Sequence, residues 1–455
     1  MPMPEESGPL RHDRRYSNDR PPDQRDAFQR DRDRILYTSA FRRLAGKTQV
    51  AAAGEGHVFH NRLTHTLEVA QIARRLAEKL LKAQPDLAEA VGGLEPEVVE
   101  AAAYAHDLGT PPFGHIAEDE LDQLVTNAGL DVGVADGFGG NAQSLRVVTK
   151  LAVRHVDVAG LNLTRATSNA ILKYPWVRKR SGERARKWGA YSTEEEEFDW
   201  ARELHLAGDD HRCAEAELMD WADDIAYSVH DVEDFYRAGL IPLQRLATDE
   251  EEIDRFLDST LARWWRLGIS SPYDKAALKR AFTGIMIPVT EGYLGTRLQR
   301  STLRSFTAGL IGRYVDAVEL CDPALNDKCC VKIIPEAKAE IAVWKELTWN
   351  YVIDNPALAT QQEGQRRVIR ELFRTFDEAA QDESRRNMLP SGARDLMEQL
   401  ESRAKTKDER RATQIRITAD IVAGMTEQEA LSTYQTITGS GFGSIMSGVM
   451  RSLDQ

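Results

Sequence analysis

Apolar residues recur at helical spacing along most of this chain. Between Arg30 and Leu44, Ile35, Leu36, Phe41 and Leu44 fall among arginines and Gly46 supplies a stop, so the pattern predicts a helix over 30–44. Residues 51–56 read as a small-residue loop. Asn61 is suited to cap a helix whose apolar side carries Leu63, Leu67, Ala70, Ile72 and Leu76. A second apolar helix holds Val98, Val99, Ala102, Ala103 and Ala105 and ends abruptly. Its last turn carries His106-Asp107, and Gly109 with Pro111-Pro112 prevents continuation. Residues 115–125 predict a short amphipathic helix, 131–140 a Gly-rich loop, 141–154 a further helix, and 215–236 a long helix closed by Gly239 and Pro242. The remainder is charged, helical and punctuated by prolines, with neither β-type alternation of any length nor an internal repeat. The expectation is an all-α protein with a helical core over 26–245 and a helical C-terminal region over 246–455. Residues 1–25, rich in Arg, Asp, Pro and Ser, read as a disordered or loosely attached arm.

Composition narrows the setting. The 455 residues are 42% hydrophobic, enough for a large core, and no run approaches the roughly 18 apolar residues of a membrane span. The N-terminus has none of the succession of a signal peptide, and the four cysteines form no CxxC pair, so a soluble cytoplasmic protein with reduced thiols is expected. The formal net charge of −13 argues against a protein working mainly by attraction to a nucleic-acid backbone. A polyanionic substrate then requires positive charge concentrated locally.

Candidate chemistry starts from the adjacent imidazole and carboxylate of His106-Asp107, which can converge on one ion because the chain turns away beyond them. His65, on the helix opened by Asn61, and Asp223 complete a candidate metal set of two histidines and two aspartates. Asp223, Tyr227 and Asp231 stand four residues apart and therefore line one helix face, an odd stripe beside apolar flanks that suits a pocket wall. Each residue has a plain alternative, a satisfied core histidine or a solvated acidic face, and spacing alone does not decide. The weight lies in three of only 10 histidines falling in or next to apolar helix stretches. With no thiolates, such a set suits Mg²⁺ or a first-row ion at a hydrolytic site better than a closed structural zinc. His115 and Glu118, three apart at the start of a helix, can also meet.

The quartet His65…His106-Asp107…Asp223 resembles that of the HD-domain phosphohydrolases. The surrounding words are more specific. Phe41-Arg42-Arg43-Leu44 with Lys47-Thr48-Gln49-Val50, Asn61 to Val69, His106 to His115, Gly140 to Arg146, Gly160 to Thr164 and Ala222 to Tyr227 are all similar to deoxyguanosine triphosphate triphosphohydrolases, in family order. Asp420 to Thr438 is similar to that family's C-terminal end.

The resemblance implies an HD-domain core and cleavage of a deoxynucleoside triphosphate (dNTP) to deoxynucleoside and inorganic tripolyphosphate. It implies a divalent ion, Mg²⁺ or Mn²⁺, on the quartet, and acid/base work by His115 with Glu118. Gln49, Tyr227 and Asp231 would face the sugar, Arg62 would grip phosphate, and Asn141 would lie at the substrate. It also implies a C-terminal region that completes the pocket and a homo-oligomer, a hexamer by resemblance. One position departs from the pattern: relatives carry an acidic residue before the Gly-Asn-Ala-Gln word, where this chain has Gly139. The reaction class is therefore tied more firmly to the sequence than the preferred nucleotide.

The basic, aromatic stretch from Lys173 to Trp188 has two readings: a charged loop with buried aromatic anchors, or a positive field for triphosphate, an activating nucleotide or single-stranded DNA. Rival functions are an HD phosphohydrolase acting on monophosphates or cyclic nucleotides, and a nucleotide-sensing or single-stranded-DNA-binding protein with a weak active site.

Overall fold

Asn61 sets the start of the helix on which the core is stacked. Its side chain accepts a hydrogen bond from the Thr64 amide and the Thr64 hydroxyl oxygen accepts one from the Asn61 amide, a reciprocal cap that launches Arg62–Ala83. This is read from a computed structural model, which describes residues 10–17, 23–49, 60–134, 136–179, 181–205, 208–353 and 356–441. The buried stripe Val69, Ala70, Ile72, Ala73, Leu76, Ala77 and Leu80 packs against Pro96–Ala105, whose Ala101, Ala102, Ala103 and Ala105 allow close approach of the two backbones. Ala214–Arg237 lies against both, and Ala27–Leu36 covers Pro96–Ala105 from outside. One continuous apolar cluster fills these helices and extends through Glu250–Arg266, Lys275–Thr283, Arg297–Asp316 and Pro335–Thr348.

A second cluster forms where the C-terminal helices fold back. His115–Gly129 buries Ala117, Leu121 and Val125 against Pro356–Gln381 and Lys407–Ala423. Charge locks this layer down. Arg146 sends Nε and Nη2 to Asp420 at 2.9 and 2.7 Å and Nη1 to Glu194 at 2.6 Å, all three side chains being buried.

The all-α expectation holds, with one addition: Val318–Leu320 pairs antiparallel with Val331–Ile333, strands of three residues that are too short to show as alternation in sequence. The helix expected over 30–44 is two, Ala27–Leu36 and Ser39–Arg43. Thr38 breaks it, because its backbone is extended and its hydroxyl accepts from the Phe41 amide, capping a new start. The helix expected over 141–154 is regular only for Gly140–Arg146, widens into a π-type turn over Val147–Leu151 and stops at the extended Ala152. The arm is corrected in part: residues 10–17 are docked. Arg14 bonds Asp31 at 2.6 Å, the Ala27 carbonyl at 2.9 Å and the Asn162 carbonyl, while Arg11 pairs with the buried Glu215. Charge-assisted bonds to buried acceptors replace the apolar contacts that this arm lacks. Residues 1–9, 18–22 and the loop expected at 51–56 lie outside the described residues. Among the described residues, no helix is long and apolar enough to cross a membrane.

Candidate active site

Three elements deliver the four expected ligands to one place. His65 projects from the first turn of Arg62–Ala83, His106-Asp107 follow the end of Pro96–Ala105, and Asp223 lies midway along Ala214–Arg237. His65, His106 and Asp107 each offer a ligand atom within 4.8 Å of one another. Asp223 joins them: its Oδ1 is 3.1 Å from His65 Nε2 and 3.7 Å from His106 Nε2, and His106 Nε2 is 3.5 Å from Asp107 Oδ2.

The protonation of His106 follows from its other nitrogen. Nδ1 lies 2.6 Å from the Ala103 carbonyl, which only accepts, so Nδ1 carries the hydrogen and Nε2 turns its lone pair to the cluster. Burial alone would raise Asp107, but Arg62, His106 and His65 pull its carboxyl well below the usual range. Its Oδ2 accepts from Arg62 Nη1 at 2.8 Å and its Oδ1 from the Thr110 hydroxyl at 2.9 Å. Asp223 is likewise held well below its ordinary value against burial, chiefly by Lys173. Lys173 Nζ reaches Asp223 Oδ2 at 2.9 Å and Asp220 Oδ1 at 2.7 Å. Two anionic carboxylates and two inward-facing imidazoles suit a divalent cation.

The loop after His106-Asp107 is shaped by two glycines. A Cβ at Gly109 would meet the Ser144 amide nitrogen at 2.3 Å, so only glycine lets this turn lie on Gly140–Arg146. Gly114 (φ 60°) follows Phe113 (φ 67°), and these two left-handed residues swing the chain into His115–Gly129. Glu427 from the C-terminal layer braces the turn, accepting from the Phe113 amide at 3.3 Å and from the Thr48 amide and hydroxyl at 3.0 and 2.7 Å. The buried Lys47 donates to the Thr110 carbonyl and, at 2.9 Å, to the Ala423 carbonyl.

His115 and Glu118 meet as their spacing suggests. Nδ1 of the largely exposed His115 is 3.0 Å from Glu118 Oε2, and Glu118 Oε1 accepts from the Gly140 amide at 2.8 Å. Burial opposes ionisation of Glu118, yet the His115 bond, Lys187 and the Gly140 amide hold its carboxyl near 2. Asn141 lies beside Gly140 in the first turn of its helix.

Asp223, Tyr227 and Asp231 share a face, as expected. Asp231 is buried with Oδ2 lacking a hydrogen-bond partner among the described residues, and Gln49 Oε1 is buried in the same condition. Burial raises both the Asp231 carboxyl and the Tyr227 hydroxyl above their ordinary values. Val50, which ends the Gln49 word, lies outside the described residues. Arg62, expected at phosphate, donates Nη1 to Asp107 and so braces the cluster.

Among the described residues, several cations of the basic stretch are paired. Besides Lys173, Arg178 bonds Asp122 at 2.5 and 2.8 Å while stacking on Trp188, and Arg184 pairs with Asp210 over Trp176. These contacts favour a charged loop with aromatic anchors over a free positive field. The Lys173–Asp223 contact was not anticipated from sequence. A carboxylate three residues before Asp223, at Asp220, was the available hint that a cation would be needed there.

Comparison with known proteins agrees with this geometry. Residues 62–155 match the HD domain family and residues 331–436 match the phosphohydrolase-associated domain family. The chain is 37% identical over 432 residues to a deoxyguanosinetriphosphate triphosphohydrolase-like protein of Streptomyces coelicolor, covering 91% of this chain and 93% of that one. A protein of the same description from Corynebacterium efficiens is 33% identical over 452 residues, covering 92% and 93%. Another from Caulobacter vibrioides is 44% identical over 228 residues, about half of each chain (49% and 50%).

Proposed function

The chain belongs to the deoxyguanosinetriphosphate triphosphohydrolase-like family of HD-domain phosphohydrolases, and from that premise we propose that it cleaves dNTPs at the α-phosphate. The products are deoxynucleoside and inorganic tripolyphosphate. The observation that carries this reading is the convergence of His65, His106, Asp107 and Asp223, drawn from positions up to 158 residues apart, onto one small volume.

These four residues would hold Mg²⁺ or Mn²⁺. When bound, such an ion supplies Lewis acidity toward the α-phosphoryl oxygens and lowers the pKa of water. The chain's own groups do the remainder. Arg62 and Lys173 keep Asp107 and Asp223 anionic, so two formal negative charges stay in place under neutral conditions. His115 moves protons: water adds to phosphorus, the bond from phosphorus to the 5′-oxygen breaks, and a proton must reach that leaving oxygen. Glu118 orients the imidazole through Nδ1 and leaves Nε2 for the exchange. Along Ala214–Arg237, Tyr227 would press against C2′ so that a ribose hydroxyl clashes, while Gln49 and Asp231 have buried oxygens open to the 3′-hydroxyl. Asn141, in the same turn as the Gly140 amide that holds Glu118, would line the substrate.

The test is incubation of purified protein with each dNTP and Mg²⁺ or Mn²⁺, with products followed by phosphorus NMR. Tripolyphosphate and deoxynucleoside are expected; orthophosphate or pyrophosphate as first product would overturn the reading.

A further inference from the structure

A second group of ionisable side chains sits beyond the metal cluster, where Ala214–Arg237 passes the start of Arg62–Ala83, and the proposed reaction uses none of it directly. Asp234 Oδ2 accepts from the His60 amide at 2.7 Å and lies 2.6 Å from His60 Nδ1. His60 Nε2 is 3.0 Å from Glu68 Oε1, and Glu68 Oε2 is 2.7 Å from His230 Nδ1. The two imidazoles stack with centroids 5.6 Å apart. His60 thus stands between a carboxylate of each of the two helices, Asp234 and Glu68, with the His230 ring stacked on it. With a carboxylate at each ring nitrogen, His60 is an imidazolium: burial works against the charge, but Asp234 and Glu68 push its pKa up to about 10.

Asp231 stands three residues before Asp234, on the same side of the helix, and both are buried. Two buried carboxyls one turn apart compete for any cation or proton within reach. Asp234 Oδ2 is engaged by both the ring and the backbone of His60, while Asp234 Oδ1 and Asp231 Oδ2 have no hydrogen-bond partner among the described residues. His60 therefore occupies one oxygen of Asp234 and leaves Asp231 without such a partner.

We infer that His60, clamped between Asp234 and Glu68, is a positioning residue that keeps Asp231 open to the 3′-hydroxyl of the substrate and so makes the site selective for nucleotides that carry it. This rests on the reading in which Asp231 faces the sugar. Without the His60 ring, Asp234 keeps only the backbone amide of residue 60, and Asp231 turns to share a proton with it; in Asp234→Asn the His60 imidazolium loses that carboxylate and turns to Asp231, which lies within its field.

The experiment compares kcat/KM for a dNTP and for its 2′,3′-dideoxy counterpart in the wild-type protein, His60→Gln and Asp234→Asn. A site built round a substrate hydroxyl rejects the analogue that lacks it, so wild-type protein should favour the dNTP by more than about 100-fold. In both variants that ratio should fall to within about tenfold, with the loss confined to the dNTP. A purely structural role lowers both substrates together and leaves the ratio unchanged, which overturns the inference. Should His60→Gln not fold, Asp234→Asn decides, since it preserves shape and the acceptor for the His60 amide. Wild-type protein that cleaves dNTPs and dideoxy analogues equally also overturns it. Wild-type protein that cleaves no dNTP removes the reading of the site on which it rests.

Discussion

Lys173 Nζ lies 2.9 Å from Asp223 Oδ2, on the carboxylate whose other oxygen stands 3.1 Å from His65 Nε2. A cation from a loop thus shares a carboxylate with an expected metal ligand. Lys173→Met removes the largest charge holding Asp223 down and strands Asp220 and Asp223 near one another. The acidic limb of the activity profile should move to higher pH by about one unit, and stability should drop by about 3 kcal/mol. Initial rates across pH 4–8 (roughly spanning the carboxylate and imidazole range) and urea unfolding check the two effects separately. An unmoved acidic limb would show that Lys173 does not govern Asp223.

His106 Nε2 faces the cluster because Nδ1 is occupied by the Ala103 carbonyl. His106→Ala and Asp223→Ala should each lose on the order of 10³-fold or more in kcat, since neither remaining trio holds the ion as a fixed site. Chelation should abolish wild-type activity reversibly, with Mn²⁺ or Mg²⁺ restoring it. Calorimetric Mn²⁺ titration should show a single site in the wild-type protein and a much weakened one in each variant. Full activity in either variant would move the chemistry elsewhere.

Arg146 reaches across to Asp420, 274 residues away, with Glu194 on its other side and all three buried. Arg146→Met leaves two buried carboxylates without their shared cation, and unfolding free energy should fall by about 3–5 kcal/mol. Asp420→Asn should cost less, because its amide oxygen still accepts. Because Gly140–Arg146 also carries Asn141 and the Glu118-bound Gly140 amide, limited proteolysis should find the C-terminal helices released first in Arg146→Met.

Much of this site was legible because its residues obey local rules. Asn61 is a cap, Asp223, Tyr227 and Asp231 follow a four-residue spacing, and His115 and Glu118 a three-residue one, so period and capping chemistry place them correctly. What could not be read depends on contacts distant in sequence. Nothing near Lys173 points to Asp223, and the polar composition of residues 10–17 conceals that Arg14 seeks Asp31 and the Asn162 carbonyl. The break at Thr38 was obscured by apolar periodicity continuing through it, since Ile35, Phe41 and Leu44 are buried on both sides. Even the hidden Lys47 sits inside a recognised word, yet its burial depends on Thr110 and Ala423, which only the folded chain brings together.

The half-buried His60 and the buried Lys47 should give stability opposite dependences on alkaline pH. His60 titrates near 10 in the folded protein against an ordinary value of 6.5, so its contribution is complete below 6.5 and is lost as pH rises through 10. Burial drives Lys47 the other way, down to about 7 from 10.5, so between those values the unfolded chain binds the extra proton and stability rises with pH. Each group contributes a slope of about 1.4 kcal/mol per pH unit where it acts alone, and between 7 and 10 the two oppose. Wild-type unfolding free energy should therefore be nearly flat over that window as far as these groups determine it. Lys47→Met should expose the falling slope and His60→Gln the rising one, whatever constant offset each substitution adds. Urea titrations at pH 7, 8, 9 and 10 (values chosen to span roughly that interval) measure the slopes directly. Parallel lines for wild type and both variants would mean that neither group's pKa differs between folded and unfolded states, and the contacts assigned to both would have to be withdrawn.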